Sequence, residues 1–484
     1  MKHDDDDSRT DGEPSSTGSA PAIRDGDGGP VVDFVPREAQ ATTICNESNT
    51  SALMHANYAG FVRWNPQWGW LIWDGVRWRR DEAGEIIRLA TGLGRGFRDL
   101  AANYRDVRVA TDFFRWAKHC ESEKGARAVL KLAEHRFHEP VESFDADPHA
   151  LNFEDGTLDL RDGAMRPHDP ADMITKTTGC RYQPGAPCPA WERFLEEVQP
   201  DPGIRAYLRR AVGYSLGGSA REQCFFVLHG AGCNGKSTFL DVLQTCIGQD
   251  YAAQADPRTF LEARSDAIRT DLARLRGVRF VCTVEWGEGR RIDEALVKAL
   301  TGGDRVTARF LYKAEFQYAP EFKIWMATNH RPAIRDASAG MWRRVRLIPW
   351  TVEVPEDRRD RDLRDRLLAE REGILRWAVE GALEYGRRGL GEPPAVAAAT
   401  RAYRASEDIV GDFLRRRCEP DPGGRVPLRD LYLAFVAEGN GEQCTQSFFG
   451  RRVAEKAEGG ELGGAKLVVV RGHKCLRGMG LRDV

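Results

Sequence analysis

The chain has 484 residues, 41% of them hydrophobic and 30% charged, with a net charge of −2, which gives room for about three globular domains. No stretch is long and apolar enough to span a membrane, and the opening Met1-Lys2-His3-Asp4 has the wrong chemistry for a secretion signal, so no membrane partner is expected. Eleven cysteines lie scattered without a C-x-x-C pair or a Cys/His cluster of zinc spacing, which excludes a disulfide frame or a zinc site and points to reduced thiols in the cytoplasm.

Residues 1–44 hold ten acidic and four basic residues. Their charge of −6 leaves +4 on the remainder, a mild excess that does not by itself identify a nucleic-acid partner. Rich in Asp, Ser, Gly and Pro, this acidic tail is expected to be disordered.

A mixed α+β domain is predicted over residues 45–200. It opens on an aromatic block with Trp64, Trp68, Trp70, Trp73 and Trp78. Residues 70–78 read as a hairpin with a two-residue turn at Asp74-Gly75. Base stacking is one use of such aromatics, but alternation along a hairpin favours core packing. Helices are predicted from 84 to about 138, and a second hairpin, over 156–167, turns on Asp162-Gly163. No closely spaced acidic pair suggests a polymerase or primase metal site.

Helices at 191–198 and 204–216 lead into an α/β segment. Cys224-Phe225-Phe226-Val227-Leu228 reads as a buried strand, and residues 238–244 as a helix. Between them, residues 230–237 read Gly-Ala-Gly-Cys-Asn-Gly-Lys-Ser. This is G-x-x-x-x-G-K-S, a phosphate-binding loop in its strand–loop–helix context. Gly230, Gly232 and Gly235 let backbone amides bend round phosphate oxygens, and Ala231, Cys233, Asn234 and Thr238 complete the cradle. Lys236 is placed to reach the β- and γ-phosphates of a nucleoside triphosphate, and the Ser237 hydroxyl to ligate Mg²⁺.

An apolar strand over 279–284 ends in Glu285, an acid suited to holding Mg²⁺ or polarising the attacking water, with Glu288 three residues on. A further strand over 322–328 ends in Asn329, whose carboxamide can bond phosphate or that water. Trp342-Arg343-Arg344 follows. An arginine here could reach a neighbouring subunit's γ-phosphate, or simply form a surface ion pair. Residues 362–387 read as helical, and 389–394 as a hinge.

In the last segment, residues 428–437 and 448–456 read as helices and 466–477 as two short strands, the order of a winged helix. Arg451 and Arg452 fall on its candidate recognition helix. Lys466, Arg471, Lys474 and Arg477 fall on its wing. These are the expected DNA contacts, the alternative being a small α+β cap with a solvated face.

In this order, the glycine loop, the acidic strand, Thr301-Gly302-Gly303-Asp304, Thr307-Ala308-Arg309, Ala327-Thr328-Asn329-His330-Arg331-Pro332 and Trp342-Arg343-Arg344 resemble a superfamily 3 helicase. The resemblance is closest to the primase-helicases of phages and plasmids, relatives of the poxvirus primase-helicase. Asn152, Gly156-Thr157-Leu158-Asp159-Leu160 and Pro167-His168-Asp169-Pro170 extend it through residues 55–200. It implies an α/β fold: a P-loop NTPase core, AAA+-like, over 201–390, with the α+β domain before it and a winged helix over 391–484. It implies ATP and Mg²⁺ at the subunit boundaries of a ring, usually a homo-hexamer. Lys236 and Ser237 would hold phosphate and metal, Glu285 would serve as the Walker B acid and Asn329 as sensor. Arg344, ahead of Arg343, would be the finger in trans. A hairpin over 307–316 would carry Lys313 and Arg309 to DNA phosphates. The implied activity is ATP-dependent 3′-to-5′ unwinding of single-stranded or forked DNA in replication of a phage, plasmid or integrated element. An ATP-switched initiator or loader is the alternative. Two features depart from the pattern. Trp286 and Gly287 intervene before Glu288, and a short acidic tail stands where many relatives carry a primase domain. Primer synthesis is therefore not expected, and a primase would be a separate chain.

Overall fold

The computed structural model describes residues 44–262, 269–284, 287, 289–336, 338–440 and 444–482. These fall into two compact units, one up to Gly185 and one from Ala186.

The first unit opens with the helix Glu47–Tyr58, capped by the Asn46 side chain, which accepts from Asn49 N at 2.8 Å. An antiparallel meander follows: β1 (Val62–Asn65), β2 (Gly69–Trp73) and β3 (Trp78–Arg80). The helices Glu85–Asn103, Val107–Glu121 and Glu123–Ala133 come next. Met54, Val62, Leu93, Val129 and Phe137 share one core. The first hairpin differs from the expected two-residue turn. Trp73 pairs with Trp78, so the turn holds four residues. The Asp74 carboxylate causes this by accepting from Val76 N at 2.9 Å and Arg77 N at 2.8 Å, an Asx-type turn that competes with the tighter one. Trp73 and Trp78 are buried, as core packing requires, and Trp64, Trp68 and Trp70 are half-buried.

A second antiparallel sheet joins β4 (Ala150–Asn152), β5 (Thr157–Asp159) and β6 (Met165–Arg166). Its hairpin is also wider than a two-residue Asp-Gly turn: Leu158 pairs with Met165 and Asp159 N donates to Ala164 O at 2.9 Å, which leaves Asp162-Gly163 at the end of a four-residue turn. Asn152 is fully buried and satisfied. Its amide donates to Val76 O at 3.0 Å and Lys176 O at 2.9 Å, and its carbonyl accepts from Thr157 Oγ1 at 2.9 Å. It thereby stitches the second sheet to the loop of the first.

The second unit is built on a parallel five-stranded sheet in the order β13-β7-β12-β9-β8. These are β7 (Phe225–His229), β8 (Ala252–Gln254), β9 (Phe280–Val284), β12 (Lys323–Thr328) and β13 (Val345–Pro349). β12 is buried along its whole length, as expected for a central parallel strand covered on both faces. The helices Pro189–Val198, Pro202–Leu216, Lys236–Ile247 and Arg371–Arg388 surround it. A two-stranded ribbon, β10 (Val306–Ala308) and β11 (Phe316–Tyr318), follows the helix Glu294–Gly302.

The C-terminal part has its own core of Phe413, Leu431, Phe435, Phe449, Val453 and Leu476. It contains the helices Ile409–Arg417, Leu428–Phe435 and Gln446–Glu458 and an antiparallel sheet in the order β14-β16-β15. The hairpin β15 (Lys466–Val470) and β16 (His473–Leu481) was expected. The third strand, β14 (Cys418–Pro427), was not. Its sequence, Cys-Glu-Pro-Asp-Pro-Gly-Gly-Arg-Val-Pro, reads as a turn, yet both ends pair with β16 around an irregularity between Pro420 and Arg425. Among the described residues no helix is long and apolar enough to cross a membrane.

Candidate functional site

Because β7, β9 and β12 are parallel, their carboxyl ends open on one edge of the sheet, the usual place for a ligand in such folds. The glycine loop leaves β7 there and Lys236 begins the helix Lys236–Ile247. Two glycines are obligatory. A Cβ on Gly230 would lie 1.8 Å from Trp350 O. Gly235 has φ = 84°, and a Cβ there would lie 2.7 Å from Val198 Cγ1. Asn234 pins the loop from within: its amide donates to Ala231 O and, at 3.2 Å, to Trp350 O. Cys233 is exposed at φ = 56°, its carbonyl accepting from Val354 N at 2.9 Å.

The Lys236 ammonium is buried beneath this loop. It donates to Gly230 O and Ala231 O at 2.9 Å, Asn234 Oδ1 at 2.8 Å and Asn329 Oδ1 at 3.0 Å. None of these four oxygens carries a formal charge, and burial pushes the pKa down to about 8. The last contact brings the end of β12 onto the loop, so Lys236 and Asn329, 93 residues apart, meet. Ala231, Gly232 and Ser237 are exposed, and Thr238 is half-buried on the helix's first turn. Among the described residues, a Cβ on Gly232 would find only Asn329 Nδ2, at 3.9 Å, so these leave that flank open.

His229, the last residue of β7, was not singled out from the sequence. Burial, then the neighbouring Arg331, Lys236 and His330, push its pKa down to about 4. It therefore stays neutral near pH 7 in a positive field. Glu285 and Glu288 lie outside the described residues. β9 ends at Val284, paired with Ala327 two residues before Asn329.

Arg343 and Arg344 lie at the opposite edge. The Arg344 carbonyl accepts from Phe225 N at 2.9 Å, at the start of β7, whereas the loop leaves its end. A five-residue strand separates them, about 13 Å at 3.3 Å per residue. The Arg344 side chain is turned inward. Its Nε donates to Thr301 Oγ1 at 3.1 Å and its Nη1 to Gly340 O, and burial, then Arg343, lower its pKa. Arg343 is the exposed one, donating to Gln223 Oε1 at 2.6 Å.

The proposed DNA contacts separate similarly. Lys313 is exposed in the loop between β10 and β11, where Arg309 faces Glu315 at 3.9 Å. Arg451 is exposed, but Arg452 is held by Asp408 at 3.4 Å and Glu455 at 2.7 Å. Lys466 and Arg471 are exposed on the β15–β16 hairpin. Arg425, which the sequence reading missed along with β14, pairs with Arg477, which pairs in turn with Lys466. All three are exposed. This row of cations across three strands is a self-repelling arrangement.

The D5 N terminal like family model matches residues 51–200, and that of a family of unknown function, DUF5906, matches 228–344. A protein of Acanthamoeba polyphaga mimivirus named as a helicase, L207/L206, is 28% identical over 319 residues, 60% of this chain and 33% of the relative. A helicase-named protein of Invertebrate iridescent virus 3, 121R, is 26% identical over 418 residues, 78% of this chain and 43% of the relative. The chain thus spans less than half the length of these curated relatives. The solved apo A form of the NrS-1 C terminal region has a similar fold, with a TM-score of 0.50 at 11% identity, covering 88% of this chain and 98% of that one. With a D5 N terminal like match ahead of a parallel-sheet unit, and helicase-named relatives in large DNA viruses, the chain is similar to a primase-helicase-like family.

Proposed function

We propose that this chain is an ATP-dependent DNA helicase with a P-loop core of superfamily 3 type and a C-terminal winged helix. It would act on single-stranded or forked DNA in replication of a phage, plasmid or other mobile element, in the cytoplasm of a bacterial or infected cell. The observation that carries the reading is Lys236, a buried cation among four uncharged oxygens with a pKa of about 8. A desolvated cation in neutral surroundings gains most from an arriving anion, and the glycine loop at a helix N-terminus has the shape for a triphosphate.

The residues fit the nucleotide. The open flank at Gly232 admits phosphate, and Lys236 would exchange its carbonyl partners for phosphate oxygens. Asn329 keeps Lys236 oriented through Oδ1 and has its amide N–H₂ to donate to phosphate or to an attacking water. Ser237, with Glu285, would hold Mg²⁺, which when bound neutralises phosphate charge. Arg343 and Arg344, a strand's length from the loop of their own chain, suit a γ-phosphate held by a neighbour. That supports a ring with ATP at subunit boundaries. The inward bonds of Arg344 make Arg343 the better finger, with Arg344 fixing its base. The 3′-to-5′ polarity, the homo-hexamer and a separate primase rest on the resemblance to family members.

The test is unwinding of a forked DNA duplex with ATP and Mg²⁺, beside a Lys236→Ala control. Strand separation lost in the control is the expected result. Hydrolysis without separation on a fork of either polarity would instead favour the ATP-switched initiator. Hydrolysis undiminished in Lys236→Ala would remove the loop from the mechanism.

A further inference from the structure

The helix Pro394–Ser406 starts on a proline, and Val396, Thr400, Tyr403 and Glu407 recur along it at helical spacing, which sets them on one stripe. That stripe faces the segments carrying Asn329 and Arg343. Thr400 Oγ1 accepts from Leu347 N on β13 at 3.0 Å, and Glu407 Oε2 accepts from Ile334 N at 3.0 Å. Tyr403, fully buried between them, touches both segments. Its hydroxyl donates to Pro332 O, and its ring meets Trp342 edge-on with centroids 5.1 Å apart. The Arg331 guanidinium lies 5.6 Å from the same ring. Burial, then Glu407, push the phenol pKa well above the ordinary tyrosine value, so the hydroxyl remains a donor near neutral pH. Pro332 stands three residues beyond Asn329, and Trp342 immediately precedes Arg343. Pro332 is itself buried, and a buried carbonyl is costly to leave without a donor.

We propose that Tyr403 is a positioning residue shared by two nucleotide sites: its hydroxyl fixes the segment behind Asn329, and its ring fixes the helix that presents Arg343. One side chain then sets both the sensor of a chain's own nucleotide and the arginine offered to its neighbour's. A displacement of Asn329 pulls on Pro332, and the rigid ring passes it to Trp342, because a close-packed interior transmits strain rather than absorbing it. Thr400 and Glu407 hold the same helix to β13 and to Ile334, so the stripe moves with the core it grips. The inference rests on the reading of this chain as an ATPase whose arginine acts in trans.

The experiment uses mixtures of full-length chains. Lys236→Ala chains supply only the arginine and Arg343→Ala chains only the loop, so hydrolysis recovered on mixing comes from boundaries between the two. Tyr403→Phe is then added to the Lys236→Ala chain, which keeps the ring on Trp342 and removes the hydroxyl alone. That chain's own site is already disabled, so the effect is read solely through its arginine. The recovered rate is expected to fall about tenfold, the scale of one lost buried hydrogen bond, while the single Tyr403→Phe variant keeps its ATP affinity. Trp342→Phe on the same chain loosens the contact from the other side and should lower the recovered rate likewise. It is the second reading should Tyr403→Phe not fold. A recovered rate indifferent to both substitutions would overturn the proposal. So would loss of ATP affinity in single Tyr403→Phe, which would make the residue a support of the whole fold. Mixtures without either substitution that recover nothing would sink the arginine-in-trans reading itself, whereas full recovery with Tyr403→Phe present removes the positioning role alone.

Discussion

At the scale of single residues, Lys236 concentrates the proposed chemistry. Its pKa of about 8 lies below the ordinary lysine value because burial disfavours the charged form. A bound triphosphate would raise it again. The sign follows directly: below about pH 8 the free protein already holds the proton, and above it nucleotide binding must recruit one. ATP affinity is therefore expected to be level up to about pH 8 and to fall by up to tenfold per pH unit beyond it, with a flat profile in Lys236→Arg. Titration calorimetry across this range checks both. The strand–loop–helix setting of Lys236 and Ser237 was legible because its spacing is local. The pairing of Arg344 with Thr301 and of Arg452 with Asp408 was not, since both partners lie more than 40 residues away, and only the fold brings them within bonding distance. Arg344→Lys is accordingly expected to lower stability by about 1–2 kcal/mol through the lost buried bonds, read as a shift in the urea midpoint.

Among the elements, β7, β9 and β12 could be read from apolar runs of strand length because a central parallel strand has no polar face to disguise it. β14 could not, because three prolines and two glycines mask a strand that pairs only at its ends. That missing strand completes the row Arg425, Arg477 and Lys466. Repulsion within the row costs folding energy and attracts phosphate. Arg425→Ala should therefore reduce the salt dependence of DNA binding by roughly 0.7–0.9 in log–log slope while leaving thermal stability equal or slightly higher. A lower melting temperature with an unchanged slope would assign Arg425 to structure instead. Helix packing makes a second demand. The helices Pro202–Leu216 and Arg371–Arg388 meet through glycine, where a Cβ on Gly213 would lie 2.0 Å from Ala382 N. Gly213→Ala should destabilise the protein by about 1–3 kcal/mol, measurable by thermal unfolding.

For the whole molecule, the proposed catalytic parts are divided between copies. Mixing Lys236→Ala chains with Arg343→Ala chains should restore some ATP hydrolysis, because a boundary with an intact loop on one side and an intact arginine on the other can form. Mixing that restores nothing would return both residues to one chain. Which arginine faces outward was not legible in the sequence, because only the fold turns the Arg344 side chain onto Thr301 Oγ1 and Gly340 O.

The span of β7 has one more consequence. Its two ends hold the two halves of the proposed reaction, and no bending of a buried strand brings them together. Turnover per chain should then depend on how many chains are present: diluted far enough, the protein keeps its affinity for ATP but falls silent, and specific activity recovers steeply as concentration rises. Inside a cell, accumulation of the protein itself would set the moment at which unwinding begins.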